Sequence, residues 1–464
     1  MNSPAQAPVS PAKRELKSLL RLAWPVILAN LGTMFLGVVD TLMVGRIDEA
    51  ALSAVALGHV WTNGTLMIGM GVVMGIDPLI SQAHSRGDPA RLGRVLQRGI
   101  LVGLAMSVLV ALAWMFTEPF LILAKQDPAL SKEAQRYVTA QIFSVPFYLV
   151  FVALRQFLSC REIMAPALWI SFIANFFNAG ANEVLIFGEF GVPEMGIVGA
   201  GYATGLTRIF ILLSMILIMR WGRLMKGAWV PWSAKSFRWK GLFEVIWQGL
   251  PVGAHMGLEI WAFALASLLA GKIGAEDPSV LAAHTVVLNC ASVTFMMPLG
   301  IAIASVTRVG NLIGAERQEQ AQLSAQVAFA SGALIMTFAG ILFWFLRNTL
   351  PSLYSLEGPA HALAVSIIPV AAAFQIFDGI QVVGAGILRG MGRTQISAWA
   401  NLLGFWGLGL PLAWWLGLHT SAGLAGVWWG LALGLAVVAV LLVAYVMKFG
   451  PRHSVPLHSE GEPE

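Results

Sequence analysis

One carboxylate, Glu259, interrupts the apolar run "GLPVGAHMGLEIWAFALASLLAGKIG" (residues 249–274), and Asp378 interrupts "AAFQIFDGIQVVGAGILRGMG" in the same way. Counting back from Lys272 and Arg389 at about 1.5 Å per helical residue puts both acids near the middle of a bilayer. An ionised side chain at that depth costs about 2.5–3.5 kcal/mol on insertion scales, so each acid needs a partner or a task. Two carboxylates sharing a partly dry cavity resist double ionisation. Such a pair takes up a proton or holds a cation.

The first half of the chain carries acids of its own. Asp40 lies five residues before Gly45, and Glu183 stands next to Asn182 at comparable depth. Polar neighbours extend both groups. His255 is one turn before Glu259, while Gln375 and Gln381 flank Asp378. Arg208 falls mid-span and reads as one half of a structural ion pair with an acid of the first half. Asp77 and Arg155 lie near span ends, where they can reach water and serve structure. His59 and His284 read as satisfied polar groups, and with only Cys160 and Cys290 present no disulfide framework, metal site or bound cofactor is expected.

The elements that hold these residues follow from composition. The chain has 464 residues, 57% of them hydrophobic and 11% charged, against roughly 25% charged in soluble domains. Apolar runs recur from residue 22 to residue 447 without the alternation of a β-barrel strand. The fold class is therefore an all-α integral membrane protein. Twelve transmembrane helices are expected, at 22–44, 53–80, 98–117, 137–160, 165–188, 196–219, 246–272, 279–307, 321–346, 363–388, 396–417 and 424–447. The net charge of +5 sits in short loops beside spans, which is an orientation signal and not a nucleic-acid footprint. Placing the N-terminus inside leaves only Arg46, Lys125, Lys132, Arg136, Lys272 and Arg347 in outer loops, so both termini are expected in the cytoplasm. No cleavable signal peptide is read at the start.

The two halves look like copies. "WPVILANLGTMFLGVVDTLMVGRI" opens one and "LPVGAHMGLEIWAFALASLLAGKI" opens the other, with the same distance from Pro25 to Gly45 as from Pro251 to Gly271. Asn178, Asn182 and Gly188 have the spacing of Gly407, Pro411 and Gly417. Two six-helix lobes related by a parallel repeat are expected, with a cavity between them that suits rocking. The division is an N-terminal tail at 1–21, an N-lobe at 22–219, a basic linker at 220–245, a C-lobe at 246–447 and a C-terminal tail at 448–464. The linker, "RWGRLMKGAWVPWSAKSFRWKG", is Trp-rich and basic and would lie along the inner leaflet.

On "PVILANLGTMFLGVVDTLMVG", "GLPVGAHMGLEIWAFALA", "FQIFDGIQVVGAGILRGMGRT" and "NAGANEVLIFGEFGVPEMGIVGAGYAT", the chain resembles the multidrug and toxic compound extrusion (MATE) family, specifically its NorM-like branch, over about residues 15–447. The resemblance implies a secondary antiporter that exports organic cations and drugs in exchange for protons or sodium ions. It implies Asp40 as the N-lobe acid with Asn178 and Asn182 beside it, and Glu259 and Asp378 as the C-lobe acids of cation coupling. Glu183, His255, Phe374, Gln375 and Arg208 complete the candidates for cavity and substrate contact.

Two departures from the family pattern stand out. Many NorM-like members have a tyrosine one turn before the C-lobe aspartate, where this chain has Phe374, so a sodium ion held at Glu259 and Asp378 would lack an oxygen ligand. Glu183 stands where an apolar or aromatic residue is commoner and could share a proton with Asp40. Both departures favour protons, with sodium as the alternative. The expected setting is the lipid bilayer of a bacterial-type inner membrane, in a protein that functions as a monomer. A flippase would need a cavity rich in Arg and Lys, whereas Arg208 is the lone central base. A channel fits poorly because no filter segment is evident, and an intramembrane enzyme lacks a motif such as H-E-x-x-H or G-x-S-x-G.

Overall fold

The computed structural model describes residues 10–275 and 277–457. The rest of the expected tails, 1–9 and 458–464, lies outside the described residues. Twelve helices long and apolar enough to span a membrane follow one another among the described residues. They are α1 (Pro11–Val44), α2 (Glu49–Arg86), α3 (Pro89–Met115), α4 (Pro128–Cys160), α5 (Ala165–Phe187), α6 (Gly196–Trp221), α7 (Trp239–Ile273), α8 (Ser279–Gly314), α9 (Gln318–Phe345), α10 (Gly358–Gly390), α11 (Thr394–His419) and α12 (Gly423–Phe449).

Local chemistry sets the helix starts. Asp48 accepts from the amide of Ala51, Asp88 from Arg91, and Asp127 from Ala129 and Leu130, each covering an otherwise orphaned helix-end donor. Pro89 and Pro128 then occupy the first turn, where no amide is needed. Several helices outrun their hydrophobic cores. α1 begins at Pro11 inside the expected tail, and α7 begins at Trp239 inside the expected linker, because polar first turns continue a helix beyond the lipid.

Three helices are irregular in ways their hydropathy does not announce. α2 breaks at Met74–Gly75, α4 passes through a 3-10 turn at Ile142–Ser144, and α11 widens into a π-helical stretch at Leu402–Gly409. Such departures from the regular helix mark places where packing or a site overrides regular hydrogen bonding.

The lobes exchange their first helices on the face that carries the termini. Leu19, Leu22, Ala23 and Val26 of α1 belong to the apolar core of the C-lobe. Val245 and Val252 of α7 belong to the core of the N-lobe. Glycines permit the close crossing. A methyl on Gly253 would lie 2.6 Å from the Ile68 carbonyl oxygen, and one on Gly249 would strike the Val72 carbonyl. On the α1–α8 side, Ile27 fills the space above Gly300, and Glu15 clasps Arg308 at 2.7 Å. The linker is fixed to the N-lobe, since Gln97 donates to the Val230 carbonyl (2.7 Å) and Arg98 to that of Lys235 (2.9 Å).

Candidate functional site

Glu259 on α7 and Asp378 on α10 line one cavity of about 370 Å³, within the size range of small-molecule sites. Its walls are mainly apolar and sulfur-bearing, with Phe263, Phe295, Met256 and Met296 among them, and Met67 reaches in from the N-lobe. Asp378 is 4% exposed and makes no hydrogen bond or ion pair among the described residues. Glu259 has a neighbour. His255 Nε2 lies 3.5 Å from its Oε2, one turn away on the same helix face.

That imidazole is held from three sides. Its Nδ1 lies 3.2 Å from the Ser397 carbonyl and 3.1 Å from the Asn401 amide, and Gln381 approaches Nε2 at 3.3 Å. Donation from Nδ1 to the Ser397 carbonyl excludes a hydrogen bond from the Asn401 amide to the same nitrogen, and leaves Nε2 to accept from Gln381 beside Glu259. The π-helical stretch of α11 adds a brace, because Trp406 Nε1 donates to the Leu258 carbonyl (3.0 Å) beside Glu259. Phe374 also lines the cavity, 2% exposed and packed edge-on against Phe263 and Trp428.

The N-lobe acid occupies a separate, drier pocket of hydrogen bonds. Asp40 is 1% exposed. It accepts from Asn182 Nδ2 (2.6 Å) and Thr204 Oγ1 (2.9 Å), and Asn182 also donates to Asn178 Oδ1 (3.2 Å). The expected grouping of Asp40, Asn178 and Asn182 is therefore present. Thr204 was not anticipated. Its pairing with Thr207 at helical spacing is the signal that could have marked a polar face of α6.

Four expectations need correction. Glu183 does not join Asp40; it pairs with Arg46 at 3.0 Å on the outer rim, because its helix position turns it toward solvent. Arg208 forms no ion pair among the described residues. It donates to Ser144 Oγ (3.1 Å) and lies 5.4 Å from the Trp114 ring and 5.5 Å from that of Tyr148, so aromatic faces take the place of a carboxylate. Gln375 turns away from Asp378 and donates to Thr294 (2.6 Å). Asp77 does not reach water. At 1% exposure it accepts twice from Gln156 and pairs across the lobes with Arg389 at 3.3 Å.

Arg155 donates to Asn30 (3.0 Å), and His59 meets the Tyr137 hydroxyl (3.0 Å). His284 is satisfied at one nitrogen only, since Nε2 meets Ser267 (3.1 Å) while its buried Nδ1 has no hydrogen-bond partner among the described residues. Arg389 is the notable omission from the sequence reading, since it lines the cavity floor as well as bridging the lobes. A base near a helix end carries no signal beyond orientation.

Comparison with known proteins finds relatives over nearly the whole chain. The MatE family model matches twice, at residues 25–183 and 251–415, so each match begins at one of the paired prolines. A probable multidrug resistance protein NorM of Mesorhizobium japonicum is 34% identical over 457 residues, covering 95% of each chain. The multidrug resistance protein NorM of Burkholderia vietnamiensis is 34% identical over 446 residues, covering 94% of this chain and 95% of the relative. Among solved structures, the eukaryotic MATE transporter AtDTX14 superposes with a TM-score of 0.88 at 25% identity, over 96% of this chain and 98% of that one.

Proposed function

The chain belongs to the MatE family, and on that premise we propose that it is a NorM-like multidrug efflux transporter, exporting organic cations from the cytoplasm in exchange for protons. The observation that carries this reading is the pair Glu259 and Asp378 in one largely apolar cavity, closed toward the terminus-bearing face by the crossing of α1 with α8 and of α2 with α7. The basic loops on that face support its assignment to the cytoplasm. On this reading the cytoplasmic face is the closed one, in a multi-pass protein of the bacterial inner membrane. The cavity is built within one chain, which suits a functional monomer.

The cycle follows from the charges. An organic cation entering from the cytoplasm is drawn to the two carboxylates, whose attraction is strong where water is scarce. Phe263 and Phe295 offer ring faces to flat cations, and Met256 and Met296 adapt to irregular ones. After the lobes rock outward, a proton reaching the acids cancels the attraction, the drug leaves and the loaded carrier resets. Coupling arises because each ligand binds the two states unequally. Protons are favoured over sodium because Phe374 brings no oxygen and an imidazole nitrogen lies 3.5 Å from Glu259, whereas sodium wants hard oxygen ligands.

The test is export from proteoliposomes under a pH gradient or a sodium gradient imposed separately. The pH gradient alone should drive export. Glu259→Gln keeps the volume and removes the proton carrier, so it should lower the rate by about tenfold or more in protein that still folds. Export that requires sodium at constant pH would overturn proton coupling, and full export by Glu259→Gln would overturn the site.

A further inference from the structure

The stretch after α12 leaves the C-lobe and reaches the N-lobe at Leu457. Its start is anchored at home. Arg452 pairs with Glu319 at 2.8 Å, and Pro451 and Ser454 are buried. Residues 452–455 line an open groove of about 610 Å³ with Glu316–Gln320 of the C-lobe. The chain then crosses the cleft. The Leu457 amide donates to Gln82 Oε1 (2.7 Å), and its carbonyl accepts from Arg86 (2.9 Å) and Arg91 (3.4 Å), all three of them on the N-lobe.

The Leu457 side chain packs on the N-lobe core and at the same time covers Gly392 of the C-lobe, where an added methyl would come within 3.1 Å of it. Gln82 closes the node by donating to the Gly390 carbonyl of the C-lobe (3.2 Å). These contacts stand on the same face as the Asp77–Arg389 bridge.

We infer that residues 450–457 form a strap that holds the terminus-bearing face shut and must leave the N-lobe before that face can open. The inference rests on the alternating-access reading above. Every contact of Leu457 with Gln82, Arg86 and Arg91 joins a C-lobe segment to the N-lobe, so separation of the lobes at this face breaks all of them together. The anchor at Arg452 and Glu319 lies wholly within the C-lobe and can persist. The strap is then a latch with a fixed end and a releasable end. Its hydrogen bonds and the burial of Leu457 favour the closed face only, which is the condition for shifting a two-state equilibrium.

Two measurements test it. Spin labels at Lys226→Cys and Gln320→Cys report lobe separation on this face, the native Cys160 and Cys290 being buried. A chain ending at Val455 should show the long-distance population raised roughly threefold or more over the full chain. Equal populations in both chains would overturn the strap while leaving alternating access intact. A single short distance in both, with drug export continuing, would overturn the strap together with alternating access.

The second measurement does not depend on the shortened chain folding. Arg86→Cys and Leu457→Cys, joined by a short bis-maleimide, fix the releasable end. Export should then fall by about tenfold relative to the unlinked double variant, and undiminished export by the linked protein would overturn the strap.

Discussion

Two acids read at similar depth in the N-lobe, Asp40 and Glu183, differ in burial and in partners. Asp40 is enclosed by Asn182 and Thr204, while Glu183, at similar depth in the sequence reading, sits on the rim with Arg46, and both partners are partly exposed. Exposed ion pairs contribute about 0–1 kcal/mol. Glu183→Gln should therefore leave export within about twofold of the parent. Asp40→Asn keeps the size of the side chain but removes the charge that two buried donors address, and should reduce export at least about tenfold. Export rates of the two variants in the same vesicles check this, and equal losses would return Glu183 to the site.

The helix backbones α2 and α7 come closest across the lobes where glycine removes the side chain. α2 and α7 approach so closely at Gly71 and Gly253 that a methyl on Gly71 would lie 2.5 Å from the Gly253 Cα. Gly249 has no space at all beyond its Cα, being against the Val72 carbonyl. Gly249→Ala therefore has to push the helices apart, an overpacking cost of roughly 1–3 kcal/mol. The cost falls on the closed terminal face, so thermal stability should drop and spin labels across that face should separate. Gly271→Ala is the control on the same helix, because nothing stands within 4 Å of its added methyl. An unchanged melting temperature for Gly249→Ala would show that the helices part more easily than the packing implies.

At the scale of the molecule, the lobes are joined by charge as well as by packing. Asp77 of the N-lobe and Arg389 of the C-lobe form a nearly dry pair reinforced by Gln156. Removing one member strands the other, at a cost of about 3–5 kcal/mol for a buried pair. Asp77→Asn should therefore destabilise the protein more than Asp77→Asn combined with Arg389→Gln, which leaves no uncompensated charge. Thermal unfolding of the single and double variants in detergent reads the difference. Additive losses would mean that the pair has no interlobe coupling.

The helical class, the number of spans and the internal repeat were open to sequence reading because lipid enforces them locally. Each span has to be apolar over its own length, and the copies opening at Pro25 and Pro251 keep the same spacing to Gly45 and Gly271. The acids Glu259, Asp378 and Asp40 stood out for the same reason, as charges where lipid forbids them. What the tertiary structure decided is partnership. That Arg208 rests against Trp114 and Tyr148, that Glu183 turns to Arg46, and that Asp77 meets Arg389 are outcomes of helix rotation and crossing, and hydropathy is blind to both. The π-helical stretch of α11 that braces α7 beside Glu259, and the reach of Leu457 to Gln82, likewise arise only when segments far apart in the chain compete for the same hydrogen bonds and the same space.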